Sequence, residues 1–354
     1  MNLPMNSKIS RRVFVSGSSA FVAAAVTGKA LGADKPSPID ASNSVSSRER
    51  RKEYLGCLGG DLAPTEPLDA KTVARVEESD YQRLKVTYRS HGETVMAYLL
   101  LPGSVANGAA VIAAHGSYMS GKESVMGVEP PGVCPYAVDL VRAGFVVLAP
   151  DAIAHGERRN PDPRGAQQKA RDKATADMWF ERSIVMQEIM AGRSLALRDV
   201  RDLARGIDYL SSLPQVDRQR IGCTGFSMGS GQTLFLTAAD ERIRVAVCIC
   251  GLSTHKAFLR EQIVHHWLYY VPGMLAKGFD LPEIASLIAP RPYLILNGKA
   301  DTSLPLDGLA EVEARVKKAY VDSPERFQVA LGPGAHAYTE DFRERMIAWF
   351  KKWL

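Results

Sequence analysis

Gln219-Arg-Ile-Gly-Cys-Thr-Gly-Phe-Ser-Met-Gly-Ser-Gly231 is the stretch on which the reading of this chain turns. Ser227 stands between Gly225 and Gly229. Before it, Ile221 to Thr224 reads as a short apolar strand; after it, Ser230 to Ala239 reads as a helix. G-x-S-x-G at a strand-to-helix junction is the pattern of a nucleophile elbow. The turn is tight enough to hold the serine in strained backbone, and its neighbours must then be small. It lifts the hydroxyl clear of the chain and aims a helix N-terminus at whatever the oxygen attacks. A phosphate-cradling loop fits less well, because no lysine follows the glycines and the G-x-G-x-x-G spacing is not met. An ordinary glycine-rich turn would also satisfy the pentapeptide, so the weight falls on what surrounds it.

The surroundings alternate. Tyr81 to Arg89 and Thr94 to Leu101 read as antiparallel strands about a Ser90-His91-Gly92 turn. Ala109 to Ala114, Phe145 to Ala149, Val245 to Cys250 and Tyr293 to Asn297 are short apolar runs, as strands buried on both faces should be. Helical patterns fall between them: residues 135–143, then Leu195 to Leu213 with Leu197, Val200, Leu203, Ala204, Ile207 and Leu210 on one face, then Leu306 to Tyr320. A strand at Phe327 to Leu331 and a helix from Tyr338 to Leu354 close the chain. This order predicts an α/β fold with a mostly parallel sheet after an antiparallel start. Residues 152–194 and 252–288 are too long for simple crossovers. Both leave the C-terminal end of a strand, where open α/β sheets place ligands, so both are expected to wall a site.

A serine hydroxyl is a weak nucleophile until a base takes its proton. On this fold the partners follow in the order serine, acid, histidine. Of seven histidines, only His336 lies beyond the strand that should carry the acid; it sits in a glycine-rich loop, Gly332-Pro-Gly-Ala-His336. The acid is expected just after Tyr293 to Asn297, at Asp301, with Asp307 as the fallback inside the next helix. Two backbone N–H groups should hold the oxyanion. One is that of Met228, next to the nucleophile. The other belongs to the loop His115-Gly-Ser-Tyr-Met-Ser-Gly-Lys-Glu123, at Ser117 or Tyr118. His115 itself precedes the serine and reads as a residue that shapes the loop.

The 354 residues, 46% hydrophobic and 23% charged, suit a large core. Residues 1–33 read as an export signal: Ser10-Arg-Arg-Val-Phe14 is a twin-arginine pattern, an uncharged run from Val13 to Gly28 follows, and small residues stand at Ala30, Gly32 and Ala33. The run is short and only mildly apolar for a membrane span, although an uncleaved anchor is the alternative. Residues 34–48 read as a disordered linker, and 49–354 as one domain carrying the two insertions. Four of the five net positive charges lie in residues 1–33, so neither nucleic acid nor an anionic membrane is implied as a partner. Five cysteines form no metal pattern; Cys248 and Cys250 are expected to face one way in a strand as buried thiols, and a Cys57–Cys134 bridge is left open. His265 and His266 are adjacent and would diverge on a helix, which disfavours a metal site.

Together these residues resemble the α/β-hydrolase superfamily, and more narrowly its dienelactone-hydrolase-like and acetyl-xylan-esterase-like branch. The resemblance spans roughly residues 80–354. It is carried by His115-Gly116 with Gly121-Lys-Glu123, Ala149-Pro-Asp151 with His155-Gly-Glu-Arg-Arg159, Gly225-Phe-Ser-Met-Gly229, Ala289-Pro-Arg-Pro292 and Gly334-Ala-His336. It implies a Ser–His–Asp acyl-enzyme mechanism without a cofactor. One departure matters: dienelactone hydrolases carry a cysteine nucleophile, and this chain has Ser227, which favours ordinary ester hydrolysis. Carbohydrate or another small ester is the expected substrate, with Arg158, Trp179 and Trp267 of the insertions as candidate contacts. Those aromatics can equally pack the insertions, and Arg158, Arg159 and Arg164 have Glu157, Asp162 and Asp172 nearby as ion-pair partners. A peptidase of prolyl-oligopeptidase type and a non-catalytic binding scaffold are the competing expectations.

Overall fold

In a computed structural model, the apolar runs become strands of one nine-stranded sheet in the order β1-β2-β3-β5-β4-β6-β7-β8-β9. The structure describes residues 46–354 except 104–107, 129, 131–132, 161–171 and 265. The expected signal at 1–33, most of the linker, and Asp162, Arg164 and His265 therefore lie outside the described residues. The strands are β1 Lys71–Glu77, β2 Tyr81–Ser90, β3 Glu93–Pro102, β4 Ala110–Ala114, β5 Val146–Pro150, β6 Ile221–Phe226, β7 Val245–Ile249, β8 Tyr293–Gly298 and β9 Phe327–Gly332. β1 to β3 and the β3–β5 pairing are antiparallel, and every pairing from β5 across to β9 is parallel. All residues of β4, β5, β6, β7 and β8 are buried, which is why those runs carry no polar alternation.

Ten α-helices are described: α1 Ser47–Leu58, α2 Lys122–Val125, α3 Tyr136–Arg142, α4 Lys173–Met190, α5 Leu195–Ser212, α6 Met228–Ala239, α7 His255–Arg260, α8 Leu281–Ser286, α9 Leu306–Ala319 and α10 Glu340–Trp353. α3 and α10 pack together, and α1, α5, α6 and α8 form a second group around α6. The apolar stripe of α5 (Leu197, Val200, Leu203, Ala204, Ile207, Leu210) is buried throughout. α6, which carries the elbow, is buried at every residue and therefore lacks an amphipathic pattern.

The structure corrects two expectations and resolves one open pairing. The end of the linker is already helix: Ser46 caps α1 through a capping box with Glu49, the Ser-x-x-Glu spacing of a helix start. Cys250 is not in β7. The strand stops at Ile249, and Cys250 turns to a φ of 49°, a conformation that L-residues rarely adopt. Cys57 and Cys134 are both free and buried, so no bridge joins them.

Candidate active site

Ser227 caps α6 with φ 56° and ψ −117°. That region is all but reserved for glycine, so the turn stores strain at the serine. The adjacent glycines are required by contact. A Cβ on Gly225 would stand 2.2 Å from the Gly229 carbonyl oxygen, and one on Gly229 2.0 Å from that of Ala114. The end of β4 and the first turn of α6 thus crowd the two glycines of the elbow. The Ser227 N–H donates to Ile249 O at 2.9 Å, fixing the turn to β7. Behind it, the Tyr269 hydroxyl donates to Gly251 O at 2.8 Å, and the ring lies where a Gly231 side chain would be.

Two loops bring the other residues in. The turn after β8 carries Asp301, and the loop after β9 carries His336. Lys299 N–H donates to Gly332 O and Ala300 N–H to Gly334 O, at 3.0 and 2.8 Å. Gly298 permits this approach, since a Cβ there would lie 2.2 Å from Ala335 O. His336 Nδ1 donates to Asp301 Oδ2 at 2.8 Å, and its Nε2 faces Ser227 Oγ at 2.9 Å. The carboxylate is fully buried, while the imidazole is 29% exposed. Asp301 Oδ1 also accepts the Ser303 N–H at 2.9 Å. With Nδ1–H committed to the carboxylate, Nε2 is left as the acceptor for the hydroxyl proton. Asp307, the fallback acid, is on α9 and pairs with Arg260 at 2.7 Å.

His115 is buried, and its Nε2 accepts the Ala152 N–H at 2.9 Å while its Nδ1 meets Gly116 O at 2.6 Å. Burial, and then the neighbouring His155, push it down to about 3, so it stays neutral and shapes the loop. Ser117 is exposed and Tyr118 half-buried at the loop tip. Met228 is the first residue of α6, where helix N–H groups have no intrahelical acceptor.

The structure does not bring the three candidate substrate contacts together. Arg158 is buried, with Nη1 on Asp202 at 2.6 Å and on Asp151 O at 3.1 Å, so its charge is committed to the interior. Arg159 pairs with Asp177 rather than Glu157, and Asp172 caps α4. Trp179 is exposed on α4, with the Arg182 guanidinium 5.4 Å from its ring centre. Trp267 is half-buried in a one-turn 3-10 helix, Trp267–Tyr269. With Phe180 it covers an apolar cluster of Ile153, Ala154, Ile184, Val185 and Leu195, so it joins the two insertions.

One residue escaped the sequence reading. Cys250 Sγ, an Asp301 carboxylate oxygen and a His336 ring nitrogen all lie within 4.8 Å of one another, the only such possible metal-holding group among the described residues. Burial, and then the Asp301 charge, push the thiol up to about 12. It is therefore a neutral thiol behind the acid. Arg291, in the Ala-Pro-Arg-Pro segment, proves to be an anchor; its guanidinium donates to the carbonyls of Thr237, Asp240 and Ile243.

The model of the dienelactone hydrolase family matches residues 97–352. YtaP of Bacillus subtilis (strain 168), named as a hydrolase, is 30% identical over 318 residues, covering 86% of this chain and 99% of that protein. Among solved structures, acetyl xylan esterase 1 from Thermoanaerobacterium sp. JW/SL YS485 superposes with a TM-score of 0.59 at 16% identity, covering 86% of this chain and 93% of that one. Glucuronoyl esterase from Solibacter usitatus gives 0.60 at 14% identity, covering 86% and 92%. At these identities the two structures speak to the fold alone.

Proposed function

The chain belongs to the dienelactone hydrolase family and is a carboxylic-ester hydrolase, and from that premise we propose that it works through a Ser227–His336–Asp301 acyl-enzyme. The relay of 2.9 Å from Ser227 Oγ to His336 Nε2 and 2.8 Å from Nδ1 to Asp301 carries the reading. Ser227 Oγ attacks the ester carbonyl as Nε2 takes its proton. The carbonyl oxygen, now anionic, is held by the Met228 N–H and by that of Ser117 or Tyr118. His336 then protonates the departing alkoxide, and the alcohol leaves Ser227 acylated. Water, deprotonated by the same nitrogen, attacks the acyl carbon; the bond to Ser227 Oγ breaks, His336 returns the proton to that oxygen, and the acid is released. Asp301 keeps the imidazole in the required tautomer and stabilises it while it is charged. No step calls on a metal or cofactor.

The substrate proposed is an acetylated carbohydrate or another small ester. Support comes from the names of the acetyl xylan and glucuronoyl esterases that share the fold. Export by the twin-arginine route is proposed from Arg11-Arg12 and the uncharged run after them; no helix of the described residues is long and apolar enough to cross a membrane. The test is a panel of acetylated sugars against p-nitrophenyl esters of rising chain length, with Ser227→Ala as control. Turnover of acetyl esters, abolished in Ser227→Ala, is expected. Hydrolysis of peptide anilides but not acetyl esters would transfer the same relay to a peptidase.

A further inference from the structure

We infer that the buried Lys122–Asp151 pair is a positioning device for the loop that presents the second oxyanion amide, an inference that rests on the reading of residues 115–121 given above. Asp151 follows directly on the end of β5, and its own N–H donates to Met96 O at 2.8 Å. Its carboxylate accepts three donors: Lys122 N–H on Oδ1 at 2.8 Å, and Lys122 Nζ and Glu157 N–H on Oδ2 at 2.6 and 3.0 Å. The two side chains are 1% and 0% exposed. The ammonium also reaches Glu157 Oε1 at 2.6 Å and lies 5.0 Å from the centre of the Tyr98 ring.

Two glycines make this seat. A Cβ on Gly121 would lie 2.2 Å from Asp151 Oδ1, and one on Gly156 2.1 Å from it. Both have positive φ, +60° and +55°, where a side chain would be strained in any case. Around the seat, the segment leaving β5 holds the loop on both sides of Ser117 and Tyr118. On one side, Ala152 N–H donates to His115 Nε2, and His115 Nδ1 to Gly116 O. On the other, Gly156 N–H donates to Met119 O and Gly121 N–H to Tyr118 O, both at 2.9 Å. The peptide planes flanking the two candidate donors are therefore fixed, while Ser117 itself remains exposed.

A buried ion pair is a weak stabiliser, since apolar replacements of both partners are often neutral or better. What this pair does supply is geometry. Its carboxylate binds the backbone of both segments, and the Lys122 side chain returns to the same carboxylate. An oxyanion donor must stand about 2.7–3.1 Å from the position of the developing charge, so a small loop shift weakens the transition state more than the bound ester.

The test compares full-length wild type, Asp151→Asn, Lys122→Met and the double variant on p-nitrophenyl acetate. Active sites are counted by fluorophosphonate titration to completion, and Ser227→Ala is the control. Removing one oxyanion donor costs about 10²–10³ in kcat; displacing one should cost less, about 10- to 100-fold per titrated site, with KM changed by no more than about twofold. The double variant leaves no charge buried alone, so its thermal unfolding should return toward wild type while kcat stays low. That separation is the signature of positioning. A folded Asp151→Asn or double variant with kcat within about threefold of wild type overturns the inference. Failure of all three variants to fold also overturns it, because the pair would then be a stability element. Wild-type hydrolysis that survives Ser227→Ala fails the triad reading itself, and this inference with it.

Discussion

Replacing Ser227 by glycine should stabilise the protein relative to replacing it by alanine, although both variants are expected to be inactive. Both remove the hydroxyl and its contact with His336, so their difference isolates the backbone. At φ 56° and ψ −117° the alanine keeps the strain and the glycine does not. Strain of this kind is worth about 1–3 kcal/mol. Against it stands the greater freedom that glycine gives the unfolded chain, about 0.4–1 kcal/mol. The net gain is about 0.5–2 kcal/mol in favour of Ser227→Gly. With an unfolding entropy of about 2.1 cal/mol/K per residue, a chain of this size moves by about 1.5 °C per kcal/mol. Differential scanning calorimetry of the two variants in one buffer should then place Ser227→Gly about 1–3 °C higher. Equal melting temperatures, or a higher one for Ser227→Ala, would refute the claim that the elbow stores strain at the nucleophile.

Asp301→Asn should lower kcat by about 10³–10⁴-fold with little change in fold, since an amide cannot hold the imidazole in the required tautomer; steady-state kinetics and circular dichroism check both halves. Gly229→Ala should cost several times more stability than an ordinary surface change, or prevent folding, because its Cβ would meet Ala114 O at 2.0 Å; soluble yield and Tm report it. Asp199, buried in α5, is pushed up to about 7 by burial, with Gln232 and Arg158 opposing and Asp202 and Glu181 adding to the rise. A raised carboxyl means the folded state holds the extra proton, so its contribution is complete below about pH 4 and is lost as pH rises through about 7. The loss is at most about 4 kcal/mol. Asp199→Asn should therefore gain on wild type in denaturant melts as pH rises from about 4 to about 7; parallel curves over that range would contradict this.

What could be read from the sequence, and what could not, follows from how each element is stabilised. β4 to β8 and the stripe of α5 are legible because burial on both faces, or on one stripe, writes itself into hydrophobic spacing. The order Ser227, Asp301, His336 is legible because the strands ahead of them are. β1 was not: all seven of its residues are exposed, so it has no buried face to impose alternation. The turn at Cys250 is hidden in the sequence because an apolar residue just past a strand looks like more strand; its positive φ and its place beside Asp301 and His336 emerge only in three dimensions. Arg158 looked like a substrate contact because its partner, Asp202, is remote in sequence and sits on α5. The Lys122–Asp151 seat has the same character. Its glycines and lysine were visible as letters, but the contact that gives them meaning joins two loops.

The most direct test of the account is to treat the folded protein with a fluorophosphonate and locate the adduct by peptide mass spectrometry. One adduct is expected, on Ser227, forming rapidly in wild type and much more slowly in His336→Ala. An adduct on another residue, no adduct on folded wild type, or an undiminished rate in His336→Ala would contradict it.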